Sequence, residues 1–88
     1  MTSEKEVAAY VCNHIFNATR PVLLVSREDG DWQLLCGGTH DEDEKPRVVG
    51  MNHLIEKDAS LREILDLSSN WDAERSAVNA HWVRTPSN

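Results

Sequence analysis

The segment PVLLVSREDGDWQLLC, residues 21–36, reads as a β-hairpin, and the rest of the chain is arranged around it. Val22, Leu23, Leu24 and Val25 form an uninterrupted apolar run, which is the pattern of a strand covered on both faces or nearly so. Arg27-Glu28-Asp29-Gly30 supplies turn chemistry, because Gly30 adopts positive φ without steric cost. Beyond the turn, Trp32, Leu34 and Cys36 point one way and Gln33 and Leu35 the other, following the two-residue period of a strand.

Upstream of the hairpin the pattern predicts a helix. Ser3 and Glu6 fit a capping box, in which each side chain satisfies a backbone N–H at the other's position. Val7, Val11 and Ile15 recur at i, i+4 and i+8, with Ala8, Cys12 and Phe16 beside them. Asn17 is placed to close this helix, and Pro21 prevents its continuation.

Downstream, Gly37-Gly38 ends the hairpin, and the acidic tract to Glu44 is expected to be a solvated loop. Arg47-Val48-Val49-Gly50 is short and β-branched, a third strand pairing with the hairpin. Asn52 is expected to cap a helix holding Leu54 and Ile55. A box from Ser60 to Glu63 starts another, with Leu61, Ile64 and Leu65 inward. Asp72–Ala77 reads as a helical turn, Ala80–Val83 as a closing strand, and Pro86–Asn88 as a frayed tail. The expected fold is therefore a single α+β domain over residues 1–88. In it, an N-terminal helix packs on a small antiparallel sheet, hairpin plus one or two strands, with two short helices. Its expected core is Val7, Val11, Ile15, Val22, Leu24, Trp32, Leu34, Leu54, Leu61 and Leu65.

With 88 residues the chain has room for one core, since a domain of this size buries only about 60% of its unfolded surface. The longest aliphatic run is Val22–Val25, far short of the roughly 20 apolar residues that a membrane helix needs. Thr2-Ser3-Glu4-Lys5-Glu6 offers neither the basic nor the apolar region of a signal peptide, so a cytoplasmic location is expected. In that compartment Cys12 and Cys36 are expected to be reduced and unpaired.

The net charge is −6, and the excess is concentrated. Glu28, Asp29, Asp31, Asp41, Glu42, Asp43 and Glu44 lie in a stretch with no Lys or Arg, while the remaining eight acids face nine bases. Phosphate backbones repel such a surface, which sets nucleic acid aside as a partner. A basic protein surface is attracted to it, and a divalent cation is the other species it suits.

Three chemistries can be drawn from the residue types present, and each has a simpler structural explanation. Cys36 and His40, with His14, His53 or His81 completing a set, offer zinc ligands, but no paired Cys-x-x-Cys or His-x-x-x-His unit is present. The expectation is that no metal is needed. Asp41-Glu42-Asp43-Glu44 lacks the alternating acids and central glycine of a calcium loop and reads as a solvated charge run. Cys36 as a nucleophile, with His40, His53 or His81 as base, would have acidic neighbours that raise a thiol pKa. No catalytic residue and no cofactor is therefore expected. Of the tryptophans, Trp32 belongs with apolar strand neighbours, whereas Trp71 lies among Asn70, Asp72 and Glu74 and suits a partner surface.

Residues from about Pro21 to Arg75 carry a resemblance. Arg27-Glu28, Asp31-Trp32 and Cys36-Gly37 are followed, after the acidic loop, by Val49-Gly50-Met51-Asn52, Asp58, Leu61, Ile64-Leu65 and Glu74-Arg75. This pattern resembles small bacterial domains grouped with the immunity protein 33-type family of polymorphic toxin systems. Asp31 stands where that family often has Gly before the Trp, and the first helix and Trp82 are additions. The resemblance implies a toxin-neutralising protein without catalytic residues. The expected function is thus a non-enzymatic interaction domain that meets a basic partner through Glu28, Asp29, Asp31, Asp41, Glu42, Asp43, Glu44 and Trp71. The competing reading is a small-molecule or cation-binding accessory domain, or a minor enzyme, centred on Cys36 to His53.

Overall fold

A computed structural model describes residues 7–38 and 45–86. Its frame is a six-stranded mixed sheet of β1 (Ala8–Val11), β2 (Leu24–Ser26), β3 (Trp32–Leu35), β4 (Arg47–Gly50), β5 (Trp71–Glu74) and β6 (Val83–Pro86). The strand order is β4-β1-β3-β2-β5-β6, with β1 and β3 parallel and every other neighbouring pair antiparallel. Two helices, α1 (Asn13–Phe16) and α2 (Met51–Lys57), and a 3₁₀ segment, Ala59–Ile64, complete the regular structure around it, besides a short 3₁₀ turn at Glu28–Gly30.

The register explains which side chains are buried. Val11 aligns with Leu34, Leu34 with Val25 and Val25 with Ala73, so one row crosses four strands. All four are fully enclosed. Ile15, Met51, Leu54, Leu61 and Ile64 from the helical segments join them in one core cluster. Each fully buried Val or Leu contributes about 1.5–3 kcal/mol, so this row anchors the domain. On the other face, Tyr10, Gln33, Ser26, Asp72 and Thr85 form a parallel row, exposed or half-buried. The sheet is therefore covered on one side, while the other face is mixed and more exposed, with Val48, Leu35, Leu24 and Val83 beside these residues.

The hairpin is present, with Asp29 and Gly30 both at positive φ and the Asp31 amide donating to the Glu28 carbonyl at 3.0 Å. The expected fold class needs correction elsewhere. Among the described residues no N-terminal helix packs on a small sheet; the fold is sheet-dominated, and residues 8–11 are a strand at the sheet's interior. Val11 is buried by either reading, but Ala9 is the second enclosed residue and Val7 is exposed. A two-residue period fits the same letters, and pairing with β3 and β4 on both edges decides the outcome. The proposed Ser3–Glu6 box lies outside the described residues.

β4 pairs with β1 and not with the hairpin. Trp71–Glu74 is a strand where a helical turn was expected, because β2 and β6 both bond to it. The closing strand begins at Val83, three residues later than expected, and includes Pro86. Leu61 and Ile64 are buried as expected, but Leu65 is exposed and Leu24 only half-buried, while Val25 and Leu67 join the core. The second helix is capped at Gly50 and not at Asn52. Asp58, not Ser60, caps the 3₁₀ segment, its carboxylate accepting from the Ser60 amide at 3.0 Å.

Asp58 also meets Arg75, whose side chain is fully enclosed. The guanidinium donates to Asp58 at 2.8 Å, to Ser60 Oγ at 2.7 Å and twice to the Val22 carbonyl, at 2.8 and 3.0 Å. It also stacks 4.3 Å from the Trp82 ring. One buried cation thus ties β5 to the approach of β2 and to the 3₁₀ segment.

Candidate functional sites

The expected partner surface divides into a described part and an undescribed part. Asp41, Glu42, Asp43 and Glu44 lie outside the described residues. Glu28, Asp29, Asp31 and Trp71 are all exposed and belong to one end of the sheet. The β2–β3 turn and the segment leading into β5 are knitted together by two backbone bonds and one to a side chain. The Arg27 amide donates to the Trp71 carbonyl at 3.1 Å, the Asn70 amide to the Arg27 carbonyl at 2.7 Å, and the Asp29 amide to Asn70 Oδ1 at 3.0 Å.

Arg27 acts as the strut beneath this end. Its guanidinium donates to the Leu67 and Gly30 carbonyls, at 2.8 and 3.0 Å, and lies 4.4 Å from the Trp32 ring. Its charge is half-buried among carbonyls, while the carboxylates of Glu28, Asp29 and Asp31 face solvent. An indole with over a third of its surface exposed therefore sits beside an acidic turn on a braced backbone.

A second constellation lies at the carboxyl ends of the parallel pair, β1 and β3. Cys12 directly follows β1, His14 is on α1, and Cys36 directly follows β3. Their ligand atoms all lie within 4.8 Å of one another, with Cys36 Sγ and His14 Nδ1 3.5 Å apart. Both cysteines are buried, and the imidazole is half-buried. Gly37, at φ +77°, turns the chain so that the Gly38 amide donates to Cys36 Sγ at 3.4 Å. A Cβ on Gly38 would lie 2.6 Å from an Arg20 guanidinium nitrogen, so a side chain there displaces the exposed end of Arg20.

Burial alone would raise the Cys36 thiol pKa. The Gly38 amide, the Cys12 thiol and the Arg20 guanidinium outweigh it and hold the group below its ordinary value. This reverses the effect expected from acidic neighbours, because the neighbours are Arg20 and a backbone donor. Cys36 is nevertheless only 5% exposed, and it lines neither of two surface hollows of about 330 and 340 Å³. The first lies between α1 and α2 around Ile15, Val22 and Leu54. A nucleophile must be reachable by its substrate, and this sulfur is shielded.

His53 and His81, two of the other expected ring partners, are exposed and outside the cluster; His40 is outside the described residues. Cys12 was the ligand that sequence spacing missed, because only strand pairing brings it to Cys36. No family model, curated protein or solved structure matches the chain. Among the described residues, no helix is long and apolar enough to cross a membrane.

Proposed function

We propose that the chain is a non-enzymatic protein-interaction domain whose acidic, tryptophan-bearing end covers a basic surface of a protein partner, as an immunity protein masks a toxin. The observation that carries this reading is the bonded juxtaposition of the Glu28–Gly30 turn with Trp71. An exposed indole supplies contact area at little conformational cost, and tryptophan is enriched among the residues that dominate binding energy. The carboxylates around it speed encounter with a basic partner and reject acidic ones. The immunity role rests on the resemblance of residues 21–75, and the shielding of Cys36 favours a binding role over catalysis.

The test is capture of the partner from the native host, followed by association kinetics with the purified partner at two salt concentrations. Glu28→Lys with Asp31→Lys is the informative pair. Asp29 is spared because its φ of +54° suits Asp better than Lys. The double reversal is expected to slow association about tenfold, the lower end of electrostatic steering, and to leave dissociation nearly unchanged. Added salt slows the wild-type protein by the same route, as screening shortens the field to about 8 Å at physiological ionic strength. An acidic partner, or kinetics indifferent to both salt and the reversals, removes the proposal.

A further inference from the structure

We infer that Cys12, His14 and Cys36 form a binding site for a thiophilic divalent metal ion of the zinc class. Each residue type is a preferred ligand of that ion, and two thiolates with one imidazole leave a fourth position for water or an exchangeable ligand. Bond lengths of roughly 2.0–2.3 Å around a tetrahedral ion imply ligand separations of about 3.6–3.8 Å. The Cys36 Sγ to His14 Nδ1 distance of 3.5 Å is already at that value. The remaining separations, at most 4.8 Å, require contraction of about 1 Å, within the reach of side-chain rotation.

The placement of the three residues supports this inference independently of their distances. They stand at the carboxyl ends of β1 and β3, the only parallel pair among the described residues, and carboxyl ends of parallel strands are a common place for ligand sites. Cys12 and Cys36 are shielded from water, as structural thiolate ligands are, and the half-buried imidazole gives the ion a route in. The Gly38 amide already donates to Cys36 Sγ, the outer bond that orients a metal-bound thiolate and tunes its basicity. Sequence spacing argued against zinc because no Cys-x-x-Cys or His-x-x-x-His unit is present. The fold instead joins Cys12 and His14, two residues apart in the chain, to Cys36 across β1 and β3.

The experiment titrates the full-length, reduced protein with Zn²⁺ by calorimetry and with Co²⁺ by absorption spectroscopy. One ion per chain is expected, with a thiolate-to-cobalt charge-transfer band and the intense visible bands of tetrahedral coordination. Cys12→Ser, His14→Ala and Cys36→Ser should each weaken binding more than about a hundredfold, exceeding the ten- to hundredfold lost when an outer-shell partner is removed. His53→Ala and His81→Ala, which alter exposed rings outside the cluster, should leave it unchanged. X-ray absorption on the wild-type zinc complex supplies a readout that does not depend on the variants folding, and should show two sulfur ligands and at least one imidazole nitrogen. Absence of stoichiometric binding, a first shell without sulfur, or undiminished affinity in any one of the three ligand variants overturns the inference.

Discussion

About 3 kcal/mol of destabilisation, the lower end of the cost of breaking a buried ion pair when the carboxylate is 23% exposed, is expected on replacing Arg75 with alanine. Its side chain is fully enclosed, and truncation leaves the Val22 carbonyl and the Asp58 carboxylate without the guanidinium that satisfies them. The stacking on Trp82 disappears as well. A domain of this length has on the order of 4–13 kcal/mol in total, at roughly 0.05–0.15 per residue, so the variant sits near the edge of folding. Urea denaturation checks this: the midpoint should fall by at least about 1 M, given a slope of roughly 1–3 kcal/mol per molar for small proteins. Arg75→Lys retains the charge but not the fork of donors, and should fall between the two.

The same pair sets a pH dependence. Burial raises the Asp58 carboxyl, but the bonds from Ser60 and Arg75 outweigh it and hold the group below the usual carboxylate value. A depressed folded-state pKa contributes stability that is fully present above the unfolded value of about 3.9 and is lost as pH falls through the folded value. Wild-type urea midpoints should therefore decline in acid through that window. Arg75→Lys should decline less steeply there, because its Asp58 is less strongly held in the charged form.

Trp71→Ala is the second large expected effect, and it falls on binding. If the exposed indole anchors the interface, its removal costs about 2 kcal/mol, or roughly a thirtyfold faster dissociation at a similar association rate. The split matters, because the lysine reversals at Glu28 and Asp31 act on encounter and this substitution acts on residence. Trp71 lies at the outer end of β5, where its backbone bonds to Ser68 and Arg27 do not require the indole. The melting temperature of the variant should therefore remain far closer to wild type than that of Arg75→Ala. A large stability loss with an unchanged off-rate would place the indole in the role of a packing residue.

The hairpin was legible because its signals are local: an Asp-Gly turn flanked by strand-forming residues. The segments 7–16 and 71–77 were not, for opposite reasons. In the first, Val7, Val11 and Ile15 satisfy a helical stripe while Ala9 and Val11 satisfy a strand, and only the edges of β3 and β4 choose between them. In the second, Ala73 is the sole buried apolar residue of β5, so nothing in the local pattern announces a strand. The metal-ligand set suffered in consequence. With residues 8–11 read as a helix, Cys12 becomes one more residue of an apolar stripe; as the residue after β1, it is a partner for Cys36. The exposure of Glu28, Asp29, Asp31 and Trp71 was legible, since charge and polar neighbours are local signals. Their bonding through Arg27 and Asn70 spans about forty residues and depends on β2 pairing with β5.

Hydrogen exchange on the free and partner-bound chain tests most directly whether this end is the docking surface. Binding should protect amides of residues 27–31 and 68–72 and leave β4 and α2 as they are in the free protein. Protection confined to β4 or α2, with the Glu28–Gly30 turn unchanged, would contradict it.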